Sequence, residues 1–110
     1  MIEGQDVERA IQWMIDNSSR AAEARAHREY VEQFRKTLKA QVMKEHAASP
    51  LGVQEREAYA DPRYVAHLDA LRAAVEQDER MRWLMTAAET RVSAWQTMSR
   101  MQRIQTPQTT

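Results

Sequence analysis

The chain is predicted to be all-α: a long antiparallel helical hairpin, coiled-coil-like, with a short connecting helix at its turn and a dimeric assembly. Three observations lead there. Seventeen alanines stand against two glycines and three prolines in 110 residues, a helix-forming composition with almost no strand signal. From Asp61-Pro62 to about Gln105 no glycine or proline interrupts a helical pattern. At 1.5 Å per residue such a rod is roughly 60 Å long, more than a compact domain of this mass is wide, so it needs a partner helix of similar length. The length leaves room for one domain, expected over 1–105.

The first helix is expected over about 5–46. Asp6 and Glu8 suit the free amides of its first turn. Its apolar positions are Val7, Ile11, Met14 and Ile15, then the alanines at 21, 22, 24 and 26, then Tyr30/Val31, Phe34, Leu38 and Val42. Asn17-Ser18-Ser19 is its weakest stretch, consistent with a kink or with an unbroken helix that is lightly packed at its waist. The small residues from Ala21 to Ala26 allow a neighbouring helix to come close.

Pro50 and Gly52 both oppose helix continuation, so His46–Gly52 reads as a boundary. Within the connector, Val53–Ala60 can form two helical turns that offer Val53 and Tyr59 to the end of the hairpin. Asp61 then provides an N-cap and Pro62 a first helical residue for the third element, expected over about 62–105. Its apolar stripe is read as Tyr64, Leu68, Leu71, Val75, Met81, Leu84/Met85, Ala88, Val92, Trp95 and Met98. The step from Val75 to Met81 breaks a strict heptad count, as a stripe drifting round a straight helix would. The polar, proline-containing tail 106–110 is expected to be disordered.

Sixteen acidic and sixteen basic residues balance, so net charge makes no case for nucleic acid, a membrane surface or acidic substrates. No cysteine is present, which removes disulfides and thiolate chemistry and agrees with a reducing cytoplasm. No apolar run reaches membrane-spanning length, and the N-terminal residues lack the basic and apolar regions of a signal peptide. A cytoplasmic protein with no membrane partner is expected. If the two long helices run antiparallel, Glu3, Asp6 and Glu8 lie beside Arg100 and Arg103. That favours this orientation by about 0.5 kcal/mol or less per exposed pair.

The search for chemistry returns little. His27, His46 and His67 lack the Glu-x-x-His or His-x-x-x-His spacing of helical metal sites, and Glu23 one turn from His27 reads as a solvated contact. With only Gly4 and Gly52 there is no glycine-rich phosphate loop. Neither a catalytic grouping nor a cofactor is expected. Arg35, Lys36, Lys39 and Lys44 form a locally basic stretch without an acid between Glu32 and Glu45, and Arg91, Arg100 and Arg103 follow the last acid, Glu89. Such runs are usually solvated faces; phosphate contact is the alternative.

The tryptophans carry more information. Trp95 falls on the stripe and reads as core, whereas Trp13 and Trp83 are offset from it and widen the apolar surface. With Met81, Met85 and Met101 they are the candidate interface, for a second copy or for another protein.

The segment Gln54-Glu-Arg-Glu-Ala-Tyr-Ala-Asp-Pro-Arg-Tyr64, with Leu68, Leu71, Ala74 and Trp95, resembles a group of small helical proteins of tailed phages and prophages. Upstream, Tyr30-x-x-x-Phe34-Arg-Lys-x-Leu38-Lys-x-x-x-Met43-Lys44 resembles the first helix of that group. The matching positions span about 28–96 and are mostly helix punctuation and packing residues, so the resemblance carries over no site residue. Such proteins are often encoded near single-strand-binding and recombination genes. This implies a non-catalytic accessory role in phage DNA recombination or replication, in the bacterial host's cytoplasm, with a phage protein and the basic stretch as contacts. The alternative is a small inhibitor of a host enzyme or defence system that acts by protein binding alone.

Overall fold

The computed structural model describes residues 2–105; the tail expected at 106–110 lies outside them. The fold is the all-α hairpin that composition and punctuation predict. It comprises α1 (Gly4–Glu45), α2 (Leu51–Ala60) and α3 (Pro62–Gln105). By packing, the chain divides into two compact units. Met1–Ala21 with Arg80–Thr110 forms the terminal unit, and Ala22–Glu79 forms the turn unit.

Local chemistry sets the helix ends. Asp6 Oδ2 accepts a hydrogen bond from the Glu3 N–H at 2.9 Å, while the Glu3 carbonyl accepts from Asp6 and Val7 N–H, which begins α1. The helix does not break at Asn17–Ser19. Asn17 Nδ2 donates to the Trp13 carbonyl and Ser18 Oγ to that of Ile15, so both side chains bond back onto their own helix. The short helix starts two residues earlier than expected and includes Gly52. The Pro50 carbonyl accepts from both Val53 and Gln54 N–H. First-turn residues need no N–H bond of their own, so neither Pro50 nor Gly52 obstructs the start. Asp61 caps α3 as predicted, its Oδ1 accepting the Arg63 N–H at 2.8 Å.

The packing seams correct the predicted stripes. In the turn unit the inward positions are Ala24, Arg28, Val31, Arg35, Leu38 and Val42 on α1, with Tyr64, His67, Leu71, Ala74 and Asp78 on α3; all are buried or half-buried. In the terminal unit they are Val7, Ala10, Met14, Asn17 and Ala21 on α1, with Met81, Met85, Ala88, Val92, Trp95 and Ser99 on α3. Spacings alternate between three and four without a break from 7 to 42 and from 64 to 99, a strict heptad seam. The count runs straight through Val75–Met81 because Asp78, a polar residue, holds the missing position. Leu68, Leu84, Ile11, Ile15 and Tyr30, which look like stripe residues by hydrophobicity, are exposed.

Asn17, Arg28, His67 and Asp78 of the seams are partnered. In the turn unit, Arg28 Nη1 donates to Asp78 Oδ2 and to Glu79 Oε1, each at 3.1 Å. Glu79, then Asp78, raise the basicity of that guanidinium. His67 Nε2 lies 2.7 Å from the Val31 carbonyl; a carbonyl only accepts, so this nitrogen carries the proton. The imidazole also meets the Phe34 ring at 5.6 Å between centroids. The best-buried cluster joins Leu38, Val42 and Ala58, with Phe34 and Met43 against it, and so docks α2 onto α1. Near it Arg63 bridges Glu45 and Asp61. Arg63, through its side chain first and its backbone N–H second, holds the Asp61 carboxyl below its ordinary value. In the terminal unit, no ion pair among the described residues joins Glu3, Asp6 or Glu8 to Arg100 or Arg103; the Asp6 carboxylate is engaged at the helix cap instead.

Candidate interaction surface

The predicted nucleic-acid residues do not assemble into one patch. At about 100° per residue Lys44 projects half a turn round α1 from Arg35, with Lys36 between them. Arg35 occupies a half-buried seam position. Lys39 Nζ donates to the Tyr59 hydroxyl at 2.8 Å and sits 4.6 Å from the Tyr59 ring centroid. The hydroxyl is the chief reason that this ammonium is held above its ordinary basicity. Lys36 and Lys44 remain exposed, about two turns apart, and two such lysines alone make no phosphate track.

The predicted interface residues divide. Met81 belongs to the core, 7% exposed, because it falls on the heptad seam; this corrects its expected place at an interface. Met85 is on the same seam and half-buried. Trp13 is half-buried, Trp83 is 66% exposed and Met101 53%. Trp95 lies inward as expected, and a Cβ at Gly4 would stand 4.0 Å from its ring, an ordinary contact.

In the terminal unit Trp13 and Trp83 each border one of two adjoining depressions. The first, about 310 Å³, lies between α1 and α3 and is walled by Trp13 and Leu84, with Arg9 and Arg91 at its edges and alanines at its floor. The second, about 380 Å³, shares Ala87 and Arg91 with the first and is lined by Ile2 from the start of the chain together with Trp83, Thr86, Thr90 and Ala94 of α3. Alanines and threonines at this spacing produce a shallow floor, and the tryptophans rise above it. Chemically the arrangement can seat an apolar side chain, with guanidinium groups placed to meet a neighbouring carboxylate.

Sequence reasoning missed the small residues that extend this surface. Trp83, Ala87, Thr90, Ala94, Thr97, Met101 and Ile104 recur at alternating steps of four and three and include no charge. They form a second heptad stripe on the face of α3 turned away from its seam. The corresponding outer positions of the turn unit are Ala66, Asp69, Ala73 and Glu76, an ordinary solvated face. The signal was present as spacing, but alanine and threonine do not register in a search for large apolar residues.

Among the described residues no group of three or more His, Asp or Glu side chains is placed to hold a metal ion, and no helix is long and apolar enough to cross a membrane. Comparisons with protein families, with curated proteins and with solved structures find no match.

Proposed function

We propose that this chain acts by binding, as a non-catalytic helical interaction protein. The observation that carries the reading is the groove of the terminal unit, where half-buried Trp13 and exposed Leu84 line the wall together with Arg9 and Arg91. Aromatic side chains flanked by arginine are the composition of a protein-binding hot spot rather than of a solvated helix. The partner is a protein segment that places an apolar side chain beside a carboxylate. The resemblance to phage proteins suggests DNA recombination or replication as the setting, with the chain working as an accessory through protein rather than DNA contacts.

The test is calorimetric titration of purified phage single-strand-binding and recombination proteins with the wild type, Trp13→Ser and Arg91→Glu. Polarisation with a short single-stranded DNA at low salt runs alongside. Saturable protein binding that Trp13→Ser weakens at least tenfold, with salt-sensitive loss in Arg91→Glu, supports the reading. Tight DNA binding lost on reversing Lys36 and Lys44 would replace it with a nucleic-acid role. A host enzyme as the sole partner would replace the recombination setting with inhibition.

A further inference from the structure

We propose that the outer stripe of α3 in the terminal unit is a self-association seam and that its occupant is a second copy of this chain, α3 packed antiparallel on α3. The inference rests on the reading that the protein acts by binding and assigns one face of that surface. Three observations support it. First, the stripe Trp83, Ala87, Thr90, Ala94, Thr97, Met101 repeats the three–four spacing by which α3 already packs on α1, so one helix carries two heptad seams facing opposite ways. A helix needs one seam for a hairpin; on the second the chain itself places Ile2 beside Trp83 and Ala94, which does not account for Thr97 and Met101.

Second, the stripe is self-complementary under a twofold axis. Antiparallel heptads pair each position of one type with the other type. This brings Trp83 against Met101, Ala87 against Thr97 and Thr90 against Ala94, and then repeats the three pairs in reverse. Small residues lie at the centre, where two backbones must approach, and the large side chains close both ends in sulfur–aromatic contacts. Third, the area suffices. Trp83, Met101 and Ile104 are 66%, 53% and 79% exposed. With the small residues between them they present roughly 600 Å² per copy, at the lower bound of the ~600–1,000 Å² per partner of specific interfaces.

The charges make the proposal specific. Beyond Glu89, this half of α3 carries Arg91, Arg100 and Arg103 and no acid, so two copies repel across the seam. Dimerisation is therefore apolar and tightens with added salt, the opposite of an acidic partner seated on the same face. The groove beside Trp13 adjoins this stripe, with Ala87 and Arg91 lining both depressions, and its Trp13 wall on α1 lies off the stripe.

Light scattering after size exclusion, at several concentrations and from 50 to 500 mM NaCl, tests the state. The expected mass is twice 12.8 kDa, with a dissociation constant that falls as salt rises. Thr90→Lys, at an exposed position near the axis, is expected to halve the mass while leaving the helical circular dichroism unchanged. Orientation follows from single cysteines in a chain that has none. Ala87→Cys mixed with Thr97→Cys should form a disulfide at least tenfold faster than Ala87→Cys with itself. A monomer at every concentration, or a dimer indifferent to Thr90→Lys, overturns the seam, and rapid Ala87→Cys self-crosslinking overturns the antiparallel arrangement. Because the partner titration with Trp13→Ser is a separate readout, failure here leaves the binding reading standing or falling on its own result.

Discussion

Val42 is the only large side chain fully shielded from solvent among the described residues, at 0% exposure, and Val42→Ala is the sharpest test of the turn unit. The change removes two methyl-sized groups, worth about 1.6 kcal/mol at ~0.8 kcal/mol each. Leu38, Ala58, Phe34 and Met43 surround the site and are fixed on two different helices, so they close the space only in part. A residual cavity of about 40 Å³ at ~24 cal/mol per Å³ adds about 1 kcal/mol. The total, about 2.5 kcal/mol, corresponds to roughly 10 °C in Tm for a chain of this size. Urea unfolding followed by circular dichroism at 222 nm, with all variants at one protein concentration, measures it. Ile15→Ala is the control: Ile15 is 63% exposed, and its loss should stay within about 0.5 kcal/mol. A cost for Val42→Ala no larger than that of Ile15→Ala would refute the cluster and with it the docking of α2.

The other predictions use the same unfolding assay. Gly52→Ala should stabilise by about 0.5 kcal/mol, because the position is helical with negative φ, and an added Cβ meets nothing within 4 Å while the unfolded chain loses freedom. Arg28→Met should lower the urea midpoint by leaving two carboxylates facing each other without their cation; adding Asp78→Leu should restore the midpoint. Asp61, with its carboxyl depressed by Arg63, contributes stability that is complete above the ordinary carboxylate value of 3.8 and is lost as pH falls through the folded value. The wild-type midpoint should therefore fall more steeply than that of Asp61→Asn between pH 5 and pH 2, while the two run parallel above pH 5.

The sequence displayed helix boundaries well and helix faces poorly, for a physical reason. Boundaries depend on a few residues with strong local chemistry, and Asp61-Pro62 cannot be mistaken. Gly52 misled because a glycine's cost falls on helix interiors, whereas here it sits in a first turn. Faces depend on which residues point inward, and hydrophobicity is a weak guide where the seam is rich in alanine and broken by Asn17, Arg28, His67 and Asp78. Leu68 and Ile15 are apolar but lie off the seam, and the apparent break at Val75–Met81 arises because the seam position between them, Asp78, is polar. Trp83 and Met101 were legible as outlying apolar residues, yet the stripe connecting them was not.

The polar residues of the turn-unit seam explain how so alanine-rich a hairpin keeps one register. Alanines at 24 and 74 pack nearly as well against one neighbour as another, so apolar contacts alone discriminate weakly between alignments shifted by a heptad. Arg28 discriminates strongly. Aligned as observed, it meets Asp78 and Glu79. Moved one heptad toward the turn, it would face Leu71, and Arg28 and Asp78 would lose the contact that each now makes with the other. His67 bonds a backbone carbonyl, which every heptad offers, and so does not choose between registers. The ion cluster, of modest net worth in the correct register and costly in the wrong one, thus fixes the hairpin's alignment in this unit. Replacing the ion cluster with apolar residues tests this account directly: the double variant should match the wild type in stability but show multiple backbone amide resonances per residue in this unit, where the wild type shows one.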